Sequence, residues 1–167
     1  MKMIDGLLAE LEQEAETTRR VLERIPQVHL SWKPHPKSMS LGQLALHVAT
    51  VPGNVAELAA LDTVLEPPSF VQPEAATTSE LVPSLTDSVA KAKRALGEFE
   101  DARMSAIWRL QSGGKDILAM PRAAFVRAIM LNHWYHHRGQ LLVYLRLLNL
   151  PVPSVYGPTA DENPFMG

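Results

Sequence analysis

Apolar residues recur every three to four positions wherever the chain is free of proline and glycine, the spacing of one face of an α-helix. The first such stretch, Ile4, Leu7, Leu8, Leu11, Ala15, Val21, Leu22 and Ile25, predicts a helix that stops before Pro26. Its polar side carries Glu10, Glu12, Glu14 and Glu16 early and Arg19, Arg20 and Arg24 late. That order complements the helix dipole and reads as a solvated face. A second stripe, Leu41, Leu44, Val48, Val51, Val55 and Leu58, follows Ser40-Leu41-Gly42-Gln43, a capping box. Pro52-Gly53 in the middle of this stripe predicts a kink or a break, because proline has no N–H and clashes with the carbonyl four residues back. Thr77-Thr78-Ser79-Glu80 is a second capping box, and Leu81, Leu85, Val89, Ala92, Leu96 and Phe99 continue a third helix from it. The longest periodic run opens a fourth helix at Pro121 and extends to about Leu148.

The segments between these helices are punctuated. Residues 26–39 hold Pro26, Pro34 and Pro36 and read as an ordered loop with Trp32 as its anchor in the core. Pro67, Pro68 and Pro73 mark a linker. In the irregular stretch 102–120, Ala106–Arg109 and Asp116–Met120 flank Ser112-Gly113-Gly114, a pattern for a small hairpin or two turns. Asn149–Gly167, with four prolines and two glycines, reads as an extended tail laid over the surface. The fold class this predicts is all-α: an up-down four-helix bundle with long loops and an extended C-terminal tail, one domain over residues 1–167.

Composition narrows the function. With 167 residues, 46% hydrophobic and 20% charged, the chain has the balance of a globular protein with one sizeable core. A net charge of -2 and a pI near 6.3 argue against nucleic acid or an anionic membrane as partner. No apolar run reaches the length of a bilayer span, and Met1–Glu16 has no signal-peptide pattern, so a cytoplasmic location is expected. There is no cysteine, hence no thiolate metal ligand and no cysteine nucleophile, while histidine occurs six times.

His133 and His137 are four apart in the fourth helix, so their rings stand side by side on successive turns, with β-carbons about 6 Å apart. Two imidazoles so placed can share one metal ion, and a third ligand must come from another element. The same face carries Val126, Met130, Gln140 and Tyr144, which predicts that it points inward. His136 is rotated about 80° off that face and is a poorer ligand. His47, at one edge of the second stripe, is the third candidate. Alone it reads as a hydrogen-bonded core histidine; beside the pair, ligation and that reading are evenly balanced. His29 and His35 lie in loop sequence and are expected to face solvent. Gln43 and Gln140 are candidates to fix a histidine tautomer, or ordinary polar residues at a helix edge. Tyr144 reads as core packing, with a hydrogen bond near the metal as the alternative. Arg138 faces away from the pair and is expected in a surface or interface ion pair. Tyr156, Asp161 and Glu162 of the tail are candidates to fold back over the opening.

The run His133-Trp134-Tyr135-His136-His137-Arg138-Gly139-Gln140-Leu141, with Val143-Tyr144-Leu145-Arg146 and Pro151-Val152-Pro153-Ser154-Val155-Tyr156-Gly157, resembles the C-terminal signature of the DinB-like family of metal-binding four-helix bundles. Trp32-Lys33-Pro34, Leu41-Gly42-Gln43-Leu44 and His47-Val48-Ala49 resemble its second-helix region. The resemblance implies a divalent metal ion, nickel or zinc, held by His47, His133 and His137, and a homodimer, for which Trp134 and Tyr135 would be the exposed aromatics. Family members with known activities include bacillithiol transferases and mycothiol-dependent maleylpyruvate isomerase. The resemblance therefore implies a small-molecule substrate, a low-molecular-weight thiol cosubstrate and S-transferase chemistry. A metal-dependent hydrolase and a non-enzymatic bundle with a structural or partner-binding role are the alternatives; the first lacks a glutamate between His133 and His137 to serve as general base.

Overall fold

In the computed structural model, which describes residues 1–67 and 71–166, the first apolar stripe forms helix α1 (Met3–Leu22). Pro68 of the predicted linker lies outside the described residues. Ile4, Leu11 and Val21 are fully buried, and the Met3 N–H at the start of α1 donates to Asp101 Oδ1 at 2.7 Å. The acidic side of α1 is not uniformly solvated: Glu14 is buried. Helix α2 (Leu41–Ala60) starts at the predicted capping box, with Ser40 Oγ accepting from the Gln43 N–H and Gln43 Oε1 from the Ser40 N–H. Helix α3 (Leu81–Leu96) follows a 3-10 turn in which the Thr77 N–H donates to Glu80 Oε1 at 2.8 Å.

Pro52 does not break α2, because its neighbours take over the hydrogen bonds it disrupts. The Val48 carbonyl, left without its usual partner at residue 52, accepts from the Trp134 indole at 2.7 Å. Ser88 on α3 takes the Gly53 N–H at 2.8 Å and donates to the Thr50 carbonyl at 3.0 Å. Gly53 is needed there: a β-carbon would stand 2.9 Å from the Ser88 carbonyl oxygen.

A small sheet corrects the all-α expectation. Strand β1 (Thr63–Val64) runs parallel to β2 (Ile107–Ser112), which pairs antiparallel with β3 (Lys115–Pro121) in the order β1-β2-β3. Gly113 (φ 56°) and Gly114 (φ 75°) form the hairpin turn; two left-handed residues match the twist of the strands they join. A short helix α4 (Asp101–Ser105) precedes this hairpin. Trp108 of β2 stacks on Phe125 with centroids 3.8 Å apart and donates its indole N–H to the Leu58 carbonyl, which fixes the sheet to the end of α2.

The predicted fourth helix is also interrupted. Pro121 closes β3, and α5 (Arg122–Phe125), a π-helical segment (Val126–Asn132) and α6 (His133–Leu147) follow in succession. Packing explains the wide turn. At about 100° per residue, Phe125 and Trp134 would lie on opposite faces of an ideal α-helix. Both are buried, Phe125 against Trp108 and Trp134 against α2, and the smaller rotation per residue of a π-helix brings them to one side. Asn149 (φ 57°) ends α6, and the tail leads back along α1. Glu162 pairs with Arg20 at 2.5 Å and Arg24 at 2.7 Å, and Asp161 pairs with Arg146, so these acids secure the tail and do not cover the histidines. The molecule is mostly helical, and no helix among the described residues is long and apolar enough to cross a membrane.

Candidate metal centre

The bond from Trp134 to the Val48 carbonyl ties α6 to α2 beside the histidines. The residue preceding each partner is a histidine, His133 on α6 and His47 on α2. Their Nε2 atoms are 3.2 Å apart. His137, one turn along α6, completes the cluster, its ring centroid 4.5 Å from each of the other two. One ligand atom from each of the three lies within 4.8 Å of the others, and all three side chains are half-buried. Two nitrogens bonded to one ion at about 2.05 Å stand about 3.3 Å apart at the tetrahedral angle, so the Nε2 pair already has the spacing of two ligands on one metal. The donor set fits a divalent ion.

Electrostatics and hydrogen bonding keep the rings in the form a metal requires. Burial, reinforced by His137 and His133, pushes the His47 pKa down to about 4, against a weaker opposing hydrogen bond from Gln72. Burial likewise lowers His133, with His137 and His136 adding to the effect, and lowers His137 against the pull of Gln140. Neutral imidazole is the ligating state. Gln140 Oε1 lies 2.7 Å from His137 Nδ1; accepting a proton there leaves the His137 Nε2 lone pair free toward the other two rings.

Residues 1–164 match the sequence profile of the DinB family. The chain belongs to the DinB family. It is 24% identical over 168 residues to the uncharacterized protein YrdA of Bacillus subtilis, covering 95% of this chain and 91% of that protein. A DinB-like protein from Bacillus cereus has a similar crystal structure, with a TM-score of 0.71, 26% identity and coverage of 93% of this chain and 100% of that one. A DinB-like protein of Bacillus subtilis, YjoA, shares the fold at a TM-score of 0.65 and 18% identity, over 95% of this chain and 99% of that one.

The histidines of this DinB protein line a cleft of about 650 Å³ between α2, the π-helical segment and residues 71–73. Other sequence expectations separate here. Gln140 meets a histidine; Gln43 does not, and instead caps α2 and donates to the Gln72 carbonyl at 3.1 Å. Tyr144 packs edge-on against the half-buried Trp32, and its hydroxyl donates to the Met39 carbonyl at 3.3 Å rather than to a histidine. His136 and His35 are exposed and His29 is half-buried. The face of α6 that enters the core carries Trp134, Leu141 and Leu145; the histidine pair sits on its flank. Arg138 is the largest correction. It is 1% exposed and pairs with Glu14 at 2.5 Å, with Thr18 Oγ1 and the Tyr156 hydroxyl also in reach, so it belongs neither to the surface nor to an interface. Trp134 is fully buried and cannot serve as an exposed dimer aromatic. Gln72 and Ile129 line the cleft and escaped sequence reading, since a proline-flanked linker and a π-helical turn carry no periodic signal. Thr50, Val51, Asn54 and Leu58 also line it, at the helical spacing from His47 that places them on its face.

Proposed function

We propose that this DinB protein is a metal-dependent enzyme, built on a bundle of four helical rods, that activates a low-molecular-weight thiol for transfer to an electrophilic small molecule. The supporting observation is the convergence of three imidazoles, each with a lowered pKa, on the lining of a substrate-sized cleft. His47, His133 and His137 would hold nickel or zinc, with Gln140 orienting His137. A divalent ion with three protein ligands keeps at least one position open and supplies Lewis acidity that lowers the pKa of a coordinating thiol.

The remaining roles fall to the chain. The apolar α2 wall and Ile129 would shield one side of a thiol bound there, and Asn54 offers a polar group on the same helix face. The chain contains no cysteine, so the sulfur would come from a cosubstrate. A hydrolase would require a general base. Among the described residues Glu57 is the one carboxylate lining the cleft, and it lies ten residues along α2 from His47, a helix rise of about 15 Å. That distance favours thiol over water chemistry.

The test is elemental analysis of protein purified without a nickel column. About one equivalent of nickel or zinc per chain is expected, lost in His137→Ala and His47→Ala variants that remain folded. Adding a small thiol to the loaded protein should then release a proton near neutral pH. A folded native protein that takes up neither metal would refute the centre, and metal without proton release would refute the thiol chemistry alone.

A further inference from the structure

We propose that the cleft selects an uncharged, apolar arm of its substrate and disfavours anionic ones. Its size is that of a ligand site: about 650 Å³, within the usual range of roughly 300–1,000 Å³ for small-molecule pockets. Its walls are Val51, Val55 and Leu58 of α2, Ile129 of the π-helical segment, and Val71 and Pro73. From Val51 to Leu58 the apolar wall runs about 10 Å along α2, the reach of a medium alkyl chain or an aromatic group.

The charges around it decide the selection. No lysine or arginine lines the cleft among the described residues, and the sequence from 67 to 73 adds none. Glu57 is the single carboxylate on the lining; its side chain is 58% exposed and it is 3.2 Å from Lys91. The Thr50 hydroxyl is already committed to the Leu46 carbonyl at 2.9 Å. Apart from an ion held by the three histidines, a carboxylate or sulfonate arm lying along the α2 wall would lose its hydration and meet no cationic side chain on the lining in return, whereas a hydrocarbon surface would gain from leaving water. This deepens the metal-centre reading, on which it rests for the position of the reacting end.

The probes are N-phenylnaphthylamine, which is neutral, and anilinonaphthalene sulfonate, the same ring system carrying one sulfonate. Both are titrated by fluorescence into the metal-free full-length protein, and zinc binding is measured separately by calorimetry. The neutral dye is expected to bind at least about tenfold more tightly than the sulfonate, given the cost of burying an unpaired anion. Leu58→Lys should weaken the neutral dye and strengthen the sulfonate; Val71→Lys, at a position 82% exposed and outside the core, should act in the same direction. Equal affinities, binding of neither dye, or insensitivity to both variants in folded protein overturns the proposal. Failure of zinc to bind would instead overturn the metal centre, and the dye comparison would still decide the character of the cleft.

Discussion

The Val48 carbonyl makes an incisive test of how α2 and α6 are held together. Pro52 denies it the ordinary helical donor, and the Trp134 indole supplies the replacement at 2.7 Å in a fully buried position. Trp134→Phe removes that donor. An unsatisfied buried carbonyl costs about 1–3 kcal/mol, and the smaller ring leaves a gap worth about 1 kcal/mol more. The variant should therefore lose about 2–4 kcal/mol in urea denaturation followed by far-ultraviolet circular dichroism. Pro52→Ala restores an N–H at residue 52 that can donate to Val48 in the usual way, so in that background the same substitution should cost only its packing part. The double-mutant cycle should yield a coupling of about 1–3 kcal/mol, with effects of Pro52→Ala alone cancelling. Additivity within about 0.5 kcal/mol would show that the two residues do not share the carbonyl, and the explanation for the unbroken helix would fall.

Other consequences follow from the same contacts. Arg138→Met leaves the Glu14 carboxylate, its side chain 10% exposed, without its cation, and should cost about 3–5 kcal/mol by thermal unfolding, much of it recovered in the Glu14→Leu, Arg138→Met double variant. Gln140→Leu should weaken zinc binding about 10- to 100-fold by calorimetry while leaving the fold intact, because His137 Nδ1 loses its acceptor. The depressed histidines also predict acid sensitivity of the metal-free protein. The folded His47 titrates near 4 and the unfolded one near 6.5, so the unfolded state binds more protons between these values and stability falls as the pH drops through that window. Allowing for partial solvent screening, His47 accounts for about 1–2 kcal/mol of this loss, and chemical denaturation of His47→Gln across the same pH range should show a shallower decline.

The histidine pair was legible because it needs only the period of one helix: residues four apart meet whatever surrounds them. His47 was legible as a polar residue at the edge of an apolar stripe, and its direction depends on how α2 docks on α6, which spacing alone does not contain. The hairpin had a local signature in Gly113-Gly114, since a two-residue turn of this kind requires φ above zero twice. Strand β1, two residues long and paired to a segment more than forty positions away, had none. Glu14 and Arg138 failed for a related reason. Each is an ordinary surface residue by its own helix pattern, and burial follows from a partner 124 residues distant in sequence. Charges can be buried when each satisfies the other, and that pairing is written in neither helix separately.

Pro52 and the π-helical segment share a cause that reverses their local meaning. By propensity, one should end α2 and the other has no reason to exist. The vacant acceptor at Val48 is valuable only if an indole reaches it, and Trp134 reaches it only if the preceding turns rotate by less than an α-helix would while Phe125 stays against Trp108. The wide turn satisfies both aromatic anchors, and the proline provides the acceptor on which one of them closes. His47 and His133 are the residues next to that closure, so the irregularities of two helices, rather than their regular parts, set the distance between the two imidazoles. A metal centre assembled this way has its spacing determined by the core of the protein, which is why substitutions at Trp134 or Pro52, neither of which is a candidate ligand, should change zinc affinity together with stability.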